Sequence, residues 1–181
     1  MIERIRALAK KSPIQAAQVD INTLIENVLA LVKNECSLNR ISVSTELERD
    51  VLLVEGDPVQ LQQVVLNLVM NAVDAMISSE SRNLLVRTQR ACDMARVSVC
   101  DSGPGFDPAA ADRLFDAFYT TKTSGMGMGL AICRSIIQSH GGKLSARPNA
   151  PRGAIFEFEL SLKEASAGMR DNSCCIGSVR S

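Results

Sequence analysis

The sequence predicts an α/β (α+β) two-layer sandwich, a mixed β-sheet with helices on one face. Three observations support this. Apolar residues recur at helical spacing over several long segments, short runs of alternating β-rich residues separate them, and helix punctuation is explicit at Asp57-Pro58 and Gly141-Gly142.

Taken in order, residues 1–11 read as the last turns of a helix, with Ile2, Ile5, Leu8 and Ala9 on one stripe, ended by Ser12-Pro13. A second helix is expected at about 20–35, with Asp20 as N-cap and Ile21, Leu24, Ile25, Val28, Leu29 and Val32 apolar. ISVSTEL (41–47) and VLLVEG (51–56) read as paired strands around a turn at Glu48–Asp50. Asp57-Pro58 starts a helix that runs to about Ile77, a cap followed by proline at the first position. LLVRTQR (84–90) and ARVSVCD (95–101) are strands joined by a short turn, and a short helix is expected near Ala109–Phe115. A helix over about 127–139 stops at Gly141-Gly142, and 143–147 with 154–160 form a closing hairpin. The Ser-, Gly- and Cys-rich residues 163–181 have little to bury and read as disordered.

Composition narrows the function. Lys plus Arg and Asp plus Glu stand at 20 each, so no net field recruits nucleic acid or anionic lipid. Aromatics at 3% leave little for base stacking. None of the six cysteines forms a C-x-x-C pair, and Cys92, Cys100 and Cys133 read as buried reduced thiols of a cytosolic protein. The apolar runs fall far short of a membrane span, and a charged helix follows Met1, so a cytoplasmic piece without membrane contact is expected.

The helix over 59–76 is apolar on nearly every side, which predicts burial, yet Gln60, Asn67, Asn71 and Asp74 fall on one narrow face. A polar stripe there costs about 1–3 kcal/mol per unpaired amide unless partners are present. Such amides either satisfy neighbouring backbone or line a wet site holding an ion. Oxygen ligands without His or Cys suit Mg²⁺.

In ARVSVCDSGPGFD, Ala95, Val97 and Val99 share a strand face with Asp101, whose carboxylate is thereby turned to the buried side and needs a donor. Gly103 and Gly105 leave room for a flat ligand against the main chain, with an adenine amino group meeting the carboxylate. Turns use the same letters, so D-x-G-x-G alone decides nothing. Ser124-Gly125-Met126-Gly127-Met128-Gly129-Leu130 leads a glycine-rich loop directly into a helix, whose N–H groups make an anion site. A dinucleotide-binding turn would need a strand before it, and FYTTKTS is not one. Lys122, with Thr120, Thr121 and Thr123, either holds terminal phosphates or forms a solvated loop.

Together these motifs resemble a known family. DPVQLQQVVLNLVMNAVDAM (57–76) looks like the N box of sensor histidine kinases, and DSGPGFD (101–107) like their first glycine box. LFDAFYTTK (114–122) resembles their phenylalanine box, and SGMGMGLAICRSIIQSHGG (124–142) their second glycine box with its helix. The resemblance covers about residues 40–162. It implies the catalytic domain of a protein histidine kinase with a Bergerat-type ATP site, ATP and Mg²⁺ being the cofactors. Residues 1–13 then resemble the end of a dimerising helical hairpin and 14–39 a linker helix. By the same resemblance Asp101 binds the adenine amino group and Asn71 holds Mg²⁺ as the metal ligand. Asn67 faces the phosphates as the catalytic residue, and Asp74, Gly103, Gly105, Lys122, Thr123, Ser124, Gly125, Met126, Gly127, Met128, Gly129 and Leu130 complete the ATP site. Residues 106–124 form a mobile lid anchored by Phe115 and Phe118.

ATP-hydrolysing relatives carry Glu at position 67 as a general base, and Asn67 cannot take a proton. A neutral imidazole acceptor already offers a lone pair, which favours a kinase. His140, the one histidine, precedes Gly141-Gly142 and reads as structural, since the acceptor motif of His followed by an acid is absent. The partners implied are ATP, a histidine-bearing dimerisation domain and a response-regulator receiver domain, within a homodimeric parent. A non-catalytic nucleotide-binding regulatory module and a serine kinase of the anti-sigma type remain as alternatives.

Overall fold

The computed structural model describes residues 17–119 and 127–163. The expected helix at 1–11 and the tail beyond Lys163 lie outside them. Strand β1 (Ala17–Asp20), which the sequence reading did not foresee, runs into helix α1 (Ile21–Leu38). Asp20 caps that helix, its carboxylate accepting from the Asn22 N–H at 3.2 Å and the Thr23 hydroxyl at 2.7 Å. Ile21, Leu24, Ile25, Val28, Val32 and Cys36 are buried. The helix is thus built into the core rather than leading up to it as a linker.

Strands β2 (Ser42–Glu46), β3 (Leu53–Gly56), β4 (Asn83–Ala91), β5 (Met94–Asp101), β6 (Lys143–Pro148) and β7 (Ala154–Ser161) alternate with helices α2 (Pro58–Met76) and α3 (Gly129–Ser139). The main sheet runs β2-β4-β5-β7-β6, with β2 parallel to β4 and every other pair antiparallel. Inward residues Leu84, Val86, Ala95, Val97, Val99, Phe156, Phe158 and Leu160 form one core with the three helices. The opposite face carries Arg87, Arg96, Glu157 and Glu159, with Arg96 bonded to Glu159 at 2.7 Å. Helices therefore cover one face of a mixed sheet, as the pattern predicts.

The expected hairpin of 41–47 with 51–56 does not form. Strand β2 pairs with β4, and β3 pairs antiparallel with β1. The connecting loop explains this. Glu48 N–H donates to Thr88 Oγ1 at 2.8 Å, that hydroxyl donates to Asn22 Oδ1 at 2.8 Å, and Asn22 Nδ2 donates to the Glu48 carbonyl at 2.9 Å. Leu52 is 0% exposed and its carbonyl receives the Ile21 N–H. The loop is drawn into the core instead of turning back on itself.

Cys36, Cys100 and Cys133 are buried, and burial pushes each thiol pKa up, that of Cys133 to about 11. Cys92 is exposed, contrary to expectation. It sits in the two-residue connection between β4 and β5 with φ at 53°. That left-handed conformation costs a side-chain-bearing residue about 1–2 kcal/mol. Cys92→Gly is therefore expected to raise stability by about 1 kcal/mol, read as a higher thermal midpoint; an unchanged or lower midpoint would contradict the turn geometry.

Candidate nucleotide site

Helix α2 lies between α1 and α3 and above the sheet, which is why it is apolar on so many sides. Leu61, Val64, Val65, Leu68, Val69, Ala72, Val73 and Met76 are buried. Asp57 caps it, accepting the Val59 N–H at 2.9 Å, with Pro58 at the first position. The polar stripe is not sunk in that buried face but runs along its margin: Gln60, Asn67 and Asn71 are half-buried and Asp74 is exposed. These amides can therefore reach a ligand without first being stripped of water. The Asn67 side chain lies beside the Cys133 thiol on α3 and lowers its pKa against the larger effect of burial.

Asp101 ends β5 with 2% exposure. Its Oδ1 accepts the Gly103 N–H at 2.8 Å and the Ala154 N–H at 3.2 Å. Among the described residues no donor reaches Oδ2. Burial pushes the carboxyl pKa up, opposed by the two backbone N–H bonds. A buried carboxylate with one oxygen satisfied and the other open suits a ligand N–H, as an amino group on a purine provides.

The segment 149–153 was missed as part of this site. Asn149 Nδ2 donates to the Asp101 carbonyl at 2.9 Å. Gly153, with φ at 113°, approaches so closely that a Cβ there would lie 1.9 Å from that same carbonyl oxygen. Gly105 faces this segment too, since its Cβ would meet the Gly153 carbonyl at 2.7 Å. Its missing side chain makes room for backbone, not for a flat ligand. The Asn-Ala-Pro-Arg-Gly turn signal in the sequence was the available clue.

Lys122, Thr123, Ser124, Gly125 and Met126 lie outside the described residues, as do Thr120 and Thr121. On either side of that gap Phe118 N–H donates to the Gly127 carbonyl at 3.0 Å. Gly127, Met128, Gly129 and Leu130 are half-buried at the start of α3. Among the described residues no side chain caps that helix, which leaves its first N–H groups as donors of the kind an anion takes. The expected short helix is two 3₁₀ turns, Pro108–Ala110 and Asp112–Phe115. Phe115 is 6% exposed, edge-on to Phe156 at 6.4 Å, with the Arg134 guanidinium 5.4 Å from its ring centroid. Phe118 is 74% exposed, and among the described residues its side chain is not part of the core, whereas Phe115 is. Among the described residues no group of three or more His, Cys, Asp or Glu is gathered as a metal site, and no helix is long and apolar enough to cross a membrane.

This combination of layers and half-satisfied acid defines a nucleotide-binding sandwich. The chain belongs to the family of histidine kinase-, DNA gyrase B- and HSP90-like ATPases, whose profile matches residues 56–164. It is similar to the sensor protein FixL of Bradyrhizobium diazoefficiens, 40% identical over 161 residues, covering 88% of this chain and 32% of that protein. It is also similar to the C4-dicarboxylate transport sensor protein DctS of Rhodobacter capsulatus, 35% identical over 92% of this chain and 26% of that protein. The chain thus spans a third or less of the length of these curated relatives. Among solved structures, the nucleotide-free catalytic domain of histidine kinase ThkA superposes with a TM-score of 0.74 at 34% identity, over 82% of this chain and 96% of that one. Full-length ShkA in complex with AMPPNP superposes with a TM-score of 0.75 at 28% identity, over 88% of this chain and 34% of that one. The chain carries the ATP-binding catalytic domain of sensor histidine kinases.

Asp101→Asn is expected to weaken ATP binding by about one to two powers of ten, the worth of a hydrogen bond to a charged group; calorimetry giving less than about a twofold change would defeat the assignment. The unliganded variant should melt no lower than the wild type, because Oδ1 keeps both N–H donors while the buried charge is gone. As pH falls through the raised folded-state value, native Asp101 binds a proton that the unfolded chain does not yet hold, so wild-type stability rises relative to the variant. The difference in midpoint should narrow on acidification.

Proposed function

We propose that this domain transfers the γ-phosphoryl group of ATP to a histidine on a dimerising helical hairpin, from which a receiver domain takes it. What carries the reading is Asn67, an amide at the half-buried margin of α2, beside Cys133 on the helix that begins at the glycine-rich loop. An amide can orient a phosphate oxygen or a water but cannot remove a proton from water. Hydrolysis lacks its base here, whereas a neutral imidazole needs none because its ring nitrogen brings a lone pair. ThkA in complex with the response regulator TrrA superposes with a TM-score of 0.75 at 29% identity over 90% of this chain and 46% of that one, which supports a receiver domain as downstream partner.

In this reading Asp101 Oδ2 accepts from the adenine amino group, and the open N–H groups of α3 face the phosphates. Lys122, Thr123, Ser124, Gly125, Met126, Gly127, Met128, Gly129 and Leu130 line the phosphate side, with Asp74 at its rim. Asn71 presents an amide oxygen of the hard kind that Mg²⁺ accepts beside phosphate oxygens. The ion supplies charge neutralisation on the phosphates. With ATP as phosphoryl donor, the setting is cytoplasmic.

Labelled ATP mixed with this chain and a histidine-bearing hairpin is expected to yield acid-labile phosphohistidine on the hairpin. Acid-stable phosphoserine, or no transfer under saturating nucleotide, would overturn the proposal. Asn71→Ala is expected to leave nucleotide contact intact while shifting the Mg²⁺ dependence of affinity to about tenfold higher ion concentration; an unchanged Mg²⁺ titration would remove Asn71 from the metal.

A further inference from the structure

Helices α2 and α3 pack against each other, and polar contacts at two levels fix how far one is displaced along the other. At the first level the buried Cys133 thiol donates to the Val64 carbonyl oxygen at 3.9 Å, with the Asn67 side chain beside it. At the second, His140 at the end of α3 reaches across to the start of α2. Its Nε2 accepts the Asp57 N–H at 3.0 Å, and its Nδ1 lies 2.8 Å from the Ile136 carbonyl of its own helix. An N–H only donates and a carbonyl only accepts, so the ring is neutral with its proton on Nδ1. It lies in a slot that a glycine keeps open: a Cβ at Gly56 would sit 2.6 Å from imidazole Cδ2 and 2.9 Å from Nε2.

From Asp57 to Val64 on α2, and from His140 to Cys133 on α3, the steps are equal and opposite, about two helical turns each. The helices are therefore antiparallel and in a single register. Continued by about one more turn, that register brings Leu68, which lies between Asn67 and Asn71, level with Gly129 at the start of α3.

We propose that His140 is a positioning residue that pins this register, so that the glycine-rich start of α3 stands opposite Asn67 and Asn71. The assignment rests on the reading that those two amides face bound nucleotide. A helix slipping along its partner without the pin separates the anion-binding N–H groups from the amides, though neither is altered. Affinity falls while the core stays intact.

Two amide variants separate register from capping. In His140→Gln an amide oxygen reaches about as far as Nε2 and can again accept the Asp57 N–H. In His140→Asn the shorter amide renews only the bond to Ile136. Affinity for AMPPNP with Mg²⁺ is measured by calorimetry, beside the thermal midpoint of each variant. His140→Ala and His140→Asn are expected to bind about tenfold more weakly, and His140→Gln within about threefold of wild type. Should the alanine variant fail to fold, the amide pair decides alone. Glutamine no better than asparagine, or alanine with wild-type affinity, overturns the assignment. A wild-type chain that binds no AMPPNP overturns the nucleotide reading and this assignment with it. Wild-type binding without phosphotransfer to a hairpin refutes only the kinase proposal.

Discussion

Asp101 stands at the end of the central strand with its carboxylate almost wholly out of water, and the two backbone N–H groups that reach it converge on one oxygen. Burying a charged group whose acceptor sites are only partly filled costs free energy, which the raised pKa registers. Much of the surrounding structure exists to hold that arrangement. Strand β7 supplies the Ala154 N–H, and Asn149 and Gly153 close over the Asp101 carbonyl from the other side. Gly103 lets the chain pass beside Ala75 of α2, where a Cβ would come within 3.2 Å of the Ala75 carbonyl oxygen. In the proposed function a ligand donor at Oδ2 completes the set, so binding would remove a cost that the unliganded protein carries.

Helix α2 answers a second requirement, to be both core and lining. Flanked by two helices and laid on the sheet, it buries most of its circumference, and its polar residues fall along the strip where burial gives way to solvent. A stripe deeper in the core would need permanent partners for every amide. One on the open surface would meet nucleotide in full competition with water. The margin is where an amide stays oriented by neighbours and remains available, as Asn67 does beside Cys133.

Local chemistry explains what was legible beforehand. Asp20 and Asp57-Pro58 announce their helices because capping is settled within a few residues, and Gly141-Gly142 ends α3 for the same reason. Strand-face parity turned Asp101 inward correctly. The partners of β2 and β3 were not readable, because they depend on a contact among Asn22, Glu48 and Thr88, residues scattered along the chain. Cys92 was misplaced for a different reason: a thiol is apolar enough to suit a core, and nothing in the sequence says that a hairpin needs φ above zero there. Gly105 and Gly153 likewise serve each other, and only the folded chain brings them together.

The division of labour between the two sides of the site follows from what each can supply. In the proposed function the base side discriminates, since a carboxylate fixed at a strand end accepts an amino hydrogen and rejects a carbonyl oxygen at the same place. The proposed phosphate side, built from helix-start N–H groups and amides, offers donors and a hard oxygen but, at Asn67, no proton acceptor. Such a surface steadies a transferring phosphoryl group whatever nucleophile arrives. It leaves activation of that nucleophile to the nucleophile itself. Water is a poor candidate on those terms, and an uncharged imidazole is a good one. On the proposed function, the choice of acceptor is then made by which group is presented in line with the γ-phosphorus, so specificity passes from the pocket to the partner surface that docks against it.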